Sequence, residues 1–341
     1  MGARSLLAVL NGERQAVPPV WFMRQAGRYL PEYRALRAEK GGFLELVYDN
    51  DAAAEITLQP IRRFGFDGAI LFSDILIVPH AMGQTLTFTP GEGPQLAPPL
   101  VEARLEDLHA APQHLAAVYG TVRKVAAALP GETAFLGFAG APWTVATYMV
   151  AGEGSRDQAA ARLMAYREPA RFAALIDAVA GVTVDYLAGQ VAAGVHAVQL
   201  FDSWAGSLAP DEFDRWVIAP TRAIVERLKA RCPGVPVIGF PKGAGGNLAR
   251  YARETRVDAV GLDETVDPAW ADEALPEGLP VQGNLDPLLL LAGGDALAGA
   301  VRRIRRALGR RPHVFNLGHG IDKETPIAHV EAALAAIRSP L

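Results

Sequence analysis

Arginines are concentrated near the start of the chain, at the end of a short apolar run. Arg24 and Arg28 stand four residues apart in the segment Trp21–Arg28, and Arg37 follows one helical stretch later. The planar guanidinium group offers a fork of donors that matches a carboxylate or a phosphate. The three side chains therefore predict a site for an anion with several negative charges. The alternative is a solvated basic loop paired with nearby glutamates such as Glu32, as most surface arginines are.

The same stretch predicts the local structure that would hold these arginines. Trp21 to Met23 are apolar and follow two prolines, a pattern typical of a short buried strand. Pro31 suits the first turn of a helix, where its missing N–H costs nothing. Residues 24–30 would then form a loop at the end of a strand, where a rigid scaffold holds binding groups.

Short apolar runs alternate with helical patterns along the chain, which predicts an α/β fold, a (β/α)8 TIM barrel in a single domain over residues 1–341. The runs lack polar alternation, as expected of parallel strands buried on both faces. A doubly wound open sheet is the structural alternative, although no Gly-x-Gly-x-x-Gly follows the first run. The predicted strands are Val20–Met23, Gly68–Phe72, Ala134–Phe138, Ala197–Phe201, Val235–Phe240, Ala259–Leu262, Pro280–Gln282 and His313–Asn316.

Two stretches interrupt this alternation. Residues 84–100 are rich in Gly, Pro and Thr, and Thr85–Thr89 alternates like one strand of a hairpin. Residues 140–158 are predicted to form a long loop after the third strand. The predicted helices include Arg171–Val191, Asp211–Ala230, Ala296–Leu308 and Pro326–Ile337.

In a barrel, chemistry collects on the face formed by the carboxyl ends of the strands. Asp74 follows the second predicted strand between apolar neighbours, where a carboxylate is costly without a task or a partner, although it could also cap a helix. After the fourth strand, Asp202 is expected to cap a helix, while Ser203 is either a cap or a site residue. Lys242 lies in a glycine-rich loop and could be a Schiff-base lysine or a phosphate contact. It is expected to be structural, because a Schiff-base lysine needs desolvation and a glycine-rich loop is open to water. His319, between two glycines after the last strand, is predicted to face the site.

Composition narrows the class of protein. A net charge of −4 and a pI near 6.0 argue against a nucleic-acid-binding protein. The one cysteine, Cys232, excludes an intrachain disulfide and a Cys-based zinc cluster, and no set of ligands has metal spacing. No run is predicted to span a bilayer and no signal-peptide pattern is found, so we expect a cytoplasmic protein without a membrane partner.

Several segments together resemble the uroporphyrinogen decarboxylase family. Pro19–Arg28 closely resembles the N-terminal signature of that family, and Gly137–Thr144, with Tyr148 close behind, resembles its second signature. The segments similar to the remaining site regions are Phe72–Ile75, Phe201–Gly206 and Asn316–Gly320. The match runs in order over nearly the whole chain.

The resemblance implies a (β/α)8 barrel that is a homodimer and needs neither a cofactor nor a metal. Members convert uroporphyrinogen III to coproporphyrinogen III in haem biosynthesis, turning four acetate side chains into methyl groups. By position, the implied catalytic residues are Asp74, Arg24, Arg37 and Tyr148. The implied substrate-binding residues are Arg24, Gln25, Ala26, Gly27, Arg28, Asp74, Tyr148, Ser203 and His319.

The residue types suit this chemistry. The substrate carries eight carboxylates, which several arginines would bind, and its four pyrrole N–H groups converge on a point where Asp74 could accept hydrogen bonds. The acid that delivers a proton stays open between Arg24, Arg37 and another pocket acid, because the pKa of arginine is very high. Two alternatives also stay open: a zinc-dependent corrinoid-type methyltransferase with the same barrel, and a tetrapyrrole-binding protein without catalytic activity.

Overall fold

Seven parallel strands form one curved sheet in the computed structural model, which describes residues 4–89 and 93–340. The remaining residues, which include both ends of the predicted domain and positions 90–92 of the predicted 84–100 excursion, lie outside the described residues. The parallel strands are β1 Gly68–Ile70, β4 Ala134–Gly140, β5 Ala197–Asp202, β6 Val237–Pro241, β7 Ala259–Gly261, β8 Val281–Leu285 and β9 His313–Leu317. Each pairs with the next in this order, so that successive βα units lie side by side.

A two-stranded antiparallel hairpin stands apart from this sheet. It consists of β2 Thr85–Thr89 and β3 Gly93–Ala97, and it confirms the strand predicted from the alternating threonines. The α-helices of the described residues are α1 Ser5–Leu10, α2 Pro31–Lys40, α3 Phe43–Tyr48, α4 Asn50–Phe64, α5 Ile77–Ala81, α6 Gln113–Ala128, α7 Pro142–Ala151, α8 Ala159–Arg167, α9 Pro169–Ala193, α10 Pro210–Phe213, α11 Ala219–Arg231, α12 Leu248–Glu254, α13 Pro268–Ala274, α14 Pro287–Ala292, α15 Gly294–Ala307 and α16 Ile327–Arg338. Their apolar sides and the sheet share one continuous core.

The four predicted helices are confirmed, with ends that shift by a few residues. Three of them correspond to α9, α15 and α16. The fourth, predicted as Asp211–Ala230, is divided into α10, one π-helical turn at Asp214–Ile218, and α11. Pro220 stands in the first turn of α11, where its missing N–H is tolerated.

The segment predicted as the first strand closes the barrel without regular strand pairing. Val20 makes an isolated parallel bridge to Phe315 in β9, and the carbonyl of Val20 accepts from the N–H of Asp67 beside β1 at 2.9 Å. The N–H of Val20 donates to Asp67 Oδ2 at 2.9 Å, and that of Met23 donates to Asn316 Oδ1 at 3.0 Å. At Val20 and Met23, side chains thus take the place of strand carbonyls, and the predicted strand is reduced to a bridge.

The loop predicted over residues 140–158 is wrong for most of its length, because α7 occupies Pro142–Ala151. Pro142 stands at the first helical position, and Gly152 ends the helix with a left-handed φ of 81°. These two residues suggested a loop, but they are the start and stop signals of a helix. The short helix carries Tyr148 along the wall of the barrel opening.

Helix α9 corrects the expectation that no segment could span a membrane. It has 25 residues and passes the test of length and hydropathy, with 56% of its most apolar window buried inside the protein. It packs against α6, α7, α11 and β4. A long apolar core helix meets the same criteria as a membrane span.

Candidate active site

The carboxyl ends of the strands bring the predicted site residues to one end of the barrel. Asp74 follows β1, Tyr148 lies on the helix after β4, Ser203 follows β5 and His319 follows β9. Burial raises the pKa of Asp74 and of Tyr148 and lowers that of His319, and the positive charge of Arg24 favours a lower pKa at all three.

The position of Arg24 depends on a glycine from the other end of the chain. Arg24 has a left-handed φ of 60°, which few residues other than glycine adopt. Its side chain lies over Gly320, where a Cβ atom would come within 2.3 Å of Arg24 Cδ. A side chain at position 320 would therefore displace the guanidinium group.

The loop that carries the arginines is held from inside by Gln25. The Gln25 side chain is fully buried, accepts from the N–H of Phe22 at 3.0 Å and donates to the carbonyl of Gly68 at 2.9 Å. Both ends of the Gln25 amide are therefore used in hydrogen bonds that hold the loop to β1. The next two residues, Ala26 and Gly27, are both partly exposed. They offer a substrate only a methyl side chain and backbone atoms.

Arg28 and Arg37 lie on different parts of this region. Arg28 is exposed, and its carbonyl accepts from Arg34 Nη1 at 2.8 Å. Arg37 on α2 is partly buried, and its Nη1 donates to the hydroxyl of Tyr33 at 3.4 Å. Glu32, the expected partner in the alternative of a solvated loop, instead binds Arg63 with contacts of 2.7 and 3.0 Å. The expected pairing of Glu32 with the loop arginines is therefore wrong, and Glu32 does not neutralise their charge.

Asp74 accepts a backbone hydrogen bond before α5 but does not cap that helix, whose N-cap residue is Leu76. Its Oδ1 accepts from the N–H of Leu76 at 2.8 Å, which fixes the turn before α5. Its Oδ2 accepts no hydrogen bond from the described residues, and the side chain is partly exposed. Burial raises the pKa of Asp74 to about 6, against the opposing effects of the Leu76 N–H and of Arg24.

Tyr148 and Trp204 form an aromatic wall beside Ser203. The two rings lie 6.4 Å apart, and burial raises the pKa of Tyr148 although a hydrogen bond with the Trp204 side chain opposes this. Trp143 Nε1 donates to the carbonyl of Trp204 at 3.0 Å and so ties the loop to α7. Ser203, which precedes Trp204 in this loop, is partly exposed.

The expectation that Asp202 caps a helix is wrong. Asp202 ends β5 with only 1% of its surface exposed, and its Oδ1 accepts from the hydroxyl of Thr144 on α7. Thr144 Oγ1 in turn accepts from the N–H of Trp204 at 3.0 Å. Burial raises the pKa of Asp202 to about 7. Thr144 was missed from the sequence, because nothing in its own segment indicates a buried acid 58 residues later.

His319 is held as a neutral imidazole at neutral pH. Burial, Arg24 and Lys242 lower the pKa of His319 to about 4, and Asp263 opposes them. Asp263 itself is buried and accepts from the N–H groups of Gly243 and Thr265 at 2.7 and 2.9 Å. It therefore positions the loops after β6 and β7, while His319 offers one ring donor and one ring acceptor to the site.

Metal ligands are not grouped in the part of the chain that the structure describes. No set of three or more His, Cys, Asp and Glu side chains there is arranged to hold an ion. Cys232, the residue that a zinc-binding alternative would need, is half-buried and follows the last residue of α11. The residues of the described barrel end thus do not fit a zinc centre.

Comparison with known proteins points to one family. The model of the uroporphyrinogen decarboxylase family matches residues 1–340. A uroporphyrinogen decarboxylase of Rhizorhabdus wittichii is 72% identical over 335 residues, which cover 98% of this chain and 97% of the relative. One of Paracoccus denitrificans is 54% identical over 341 residues, covering 99% of this chain and all of the relative.

Solved structures support the fold. A methyltransferase from Methanosarcina mazei superimposes with a TM-score of 0.79 over 98% of this chain and 97% of its own, at 17% sequence identity. At that identity the likeness concerns the barrel alone. The family match and the identity of the relatives over nearly their full length lead to one conclusion: this chain belongs to the uroporphyrinogen decarboxylase family.

Proposed function

We propose that this chain is a carboxy-lyase that converts uroporphyrinogen III to coproporphyrinogen III by removing the carboxyl groups of four acetate side chains. The observation that carries the proposal is Asp74, a partly exposed carboxylate at the barrel opening on which the charge of Arg24 acts. An anion with eight carboxylates needs cations at its edge and, for its pyrrole N–H groups, an acceptor at its centre. The site supplies both in one place.

Asp74 is assigned the role of electrostatic stabiliser. Decarboxylation leaves an electron pair on the exocyclic carbon, and a protonated pyrrole ring can accept that pair in the way a cofactor otherwise would. The free Oδ2 of Asp74 accepts pyrrole N–H groups, and its negative charge stabilises the positive charge on the protonated ring. Carbon dioxide leaves and its electron pair passes into the ring. A proton added at the exocyclic carbon then completes the methyl group, and loss of the proton first added to the ring restores the neutral pyrrole.

Arg24 is our assignment for the acid, in preference to Arg37, because its side chain lies over Gly320, the residue after His319, whereas Arg37 donates to the hydroxyl of Tyr33. Arg24, Arg28 and Arg37 bind substrate carboxylates, and Tyr148, Ser203 and His319 hold others by hydrogen bonds. Gln25 contributes by shaping the loop, with Ala26 and Gly27 giving the substrate close access to its backbone.

The test is an anaerobic incubation of the purified protein with uroporphyrinogen III, without added metal or cofactor. Oxidation of the products and their separation by carboxylate number should yield a series from eight carboxylates down to four. Unreacted substrate, from a folded protein that still binds it, would contradict the enzyme and favour a tetrapyrrole carrier. Activity that appears only with added zinc would favour the metal-dependent alternative.

We further propose that the chain is one barrel domain over its whole length, works in the cytoplasm and assembles as a homodimer, as the family resemblance implies. Sedimentation equilibrium at several concentrations tests the assembly. A mass of twice the chain mass of 36.3 kDa is expected, and a monomer at all concentrations would contradict the homodimer.

A further inference from the structure

Lys242, expected from sequence to be structural, stands at the carboxyl end of β6 on a rigid backbone. Its N–H donates to the carbonyl of Asp202 at 3.0 Å, and its carbonyl accepts from the N–H of Gly206 at 3.0 Å. The next N–H, that of Gly243, donates to Asp263 Oδ2 at 2.7 Å. The origin of the Lys242 side chain is therefore fixed by two neighbouring strand ends.

The side chain itself is only loosely engaged. Lys242 Nζ lies 3.6 Å from Glu264 Oε1, which is an ion pair but longer than a hydrogen bond, and the two side chains are 30% and 25% exposed. Nζ makes no hydrogen bond within the described residues, and Glu264 Oε2 is buried without a partner among them. The Lys242 ammonium group thus has three donors without a hydrogen bond among the described residues, and its ion-pair partner Glu264 lies beyond hydrogen-bond distance.

This pair is continuous with the candidate site. A Cβ atom on Gly318 would lie 2.2 Å from the backbone nitrogen of Glu264, so the loop with His319 packs directly on the Glu264 backbone. Lys242 also lowers the pKa of His319, as Arg24 does from the other side of the same loop. The rim of the opening therefore runs from Lys242 through the His319 loop to Arg24.

We propose that Lys242 is a substrate-carboxylate contact of this site, and that Glu264 holds its ammonium group until a substrate carboxylate takes the place of Glu264. The proposal rests on the proposed function, because it concerns the carboxylates of that substrate. A carboxylate that approaches within hydrogen-bond distance offers Lys242 a better partner than the present 3.6 Å pair. Lys242 would thereby add an ammonium contact to the guanidinium contacts of the arginine loop.

The test compares Lys242→Gln, Lys242→Arg and Glu264→Gln with the unmodified protein, measuring kcat, KM and the distribution of products by carboxylate number. Lys124→Gln is the control, because Lys124 is a half-exposed lysine that pairs with Asp51 on the helical outside of the barrel. Lys242→Gln should raise KM about five- to tenfold with kcat within about twofold, and Lys242→Arg should stay near the original KM. Glu264→Gln should leave KM unchanged or lower it, because it removes a competing carboxylate.

A KM for Lys242→Gln equal to that of the control would overturn the proposal. So would a Glu264→Gln variant with the same loss as Lys242→Gln, because both would then act only by holding the loop. The dependence of KM on salt should also weaken in Lys242→Gln. If the unmodified protein does not decarboxylate the substrate, the proposed function fails on its own. Equilibrium binding of uroporphyrinogen to the unmodified protein and to Lys242→Gln then still tests Lys242.

Discussion

At the scale of single residues, the site separates two acids by their surroundings. Asp74 is partly open and has one oxygen without a hydrogen bond, while Asp202 is buried and bound to Thr144. Burial raises the pKa of both, to about 6 and about 7 respectively. At neutral pH Asp74 is therefore mostly ionised and accessible to a ligand, whereas Asp202 is partly protonated and buried inside the wall.

The substitution Asp74→Asn should abolish most of the turnover while the fold persists. Its amide keeps the acceptor for the Leu76 N–H but carries no negative charge, so we expect a loss of about a hundredfold or more in kcat. The measurement is the rate of carbon dioxide release with far-ultraviolet circular dichroism as the check on folding. Asp295→Asn, at an exposed position of α15, serves as the control. A variant with near-normal turnover would refute the role of Asp74.

The raised pKa of Asp74 predicts two opposite responses to pH. Activity should fall as the pH drops below about 6, because the protonated carboxyl no longer stabilises a cationic ring. Stability should respond the other way: the folded state binds this proton more tightly than the unfolded chain, so the unfolding free energy falls as the pH rises from the ordinary carboxyl range to about 6.

Urea unfolding of the unmodified protein and of Asp74→Asn at a series of pH values measures the second response. The difference between the two proteins should change by about 2 kcal/mol between pH ~4 and ~6.5, which the shift in the Asp74 pKa implies. A difference that is constant over this range would show that the pKa of Asp74 is not raised.

At the scale of elements, α7 and the loop after β5 act as one wall. Thr144 joins them, since its hydroxyl donates to Asp202 and accepts from the N–H of Trp204. The same loop is tied a second time by the hydrogen bond from Trp143 Nε1 to the Trp204 carbonyl. The position of Ser203 thus depends on a helix that begins about 60 residues earlier in the chain.

The substitution Thr144→Val should weaken this wall. It leaves the buried Asp202 carboxyl and the Trp204 N–H without their partner, which should lower the unfolding free energy by about 1–3 kcal/mol. Thr144→Ser keeps the hydroxyl and should lose less. Urea midpoints of the three proteins decide the matter, and equal midpoints for valine and threonine would contradict the link.

At the scale of the whole molecule, the barrel is closed by side chains from distant parts of the chain. Asn316 on β9 accepts with one oxygen from the N–H groups of Met23 and Leu317, at 3.0 and 2.7 Å. Inside the barrel, Trp21 Nε1 donates to Gln282, which donates to Gln199, each at 3.0 Å. Because Arg24 follows Met23, the closure of the fold also sets the position of the arginine loop.

The substitution Asn316→Ala should therefore affect both stability and binding. Two buried N–H groups lose their acceptor, so we expect a loss of about 1–3 kcal/mol in unfolding free energy together with a higher KM. Asn11→Ala, at an exposed position after α1, is the control for the loss of an asparagine. A destabilised variant with unchanged KM would contradict the claim that barrel closure sets the position of the arginine loop.

Local sequence patterns predicted the succession of the strands, one strand of the hairpin and the residues that could bind a polyanion. These features follow from short-range sequence patterns, namely apolar runs typical of strands buried on both faces, proline and glycine at element ends, and arginines after a strand. Helix α7 was predicted to be a loop because Pro142 at its start and Gly152 at its end are residue types that are also frequent in loops.

Which polar groups contact one another could not be predicted from the sequence and is known only from the folded barrel. The pairing of Met23 with Asn316, of Thr144 with Asp202 and of Lys242 with Glu264 joins positions that no local pattern relates. The physical reason is that a curved parallel sheet brings the carboxyl ends of all its strands to one place, whatever their separation along the chain. The burial that shifts the pKa of Asp74 and His319 likewise exists only once the barrel is closed.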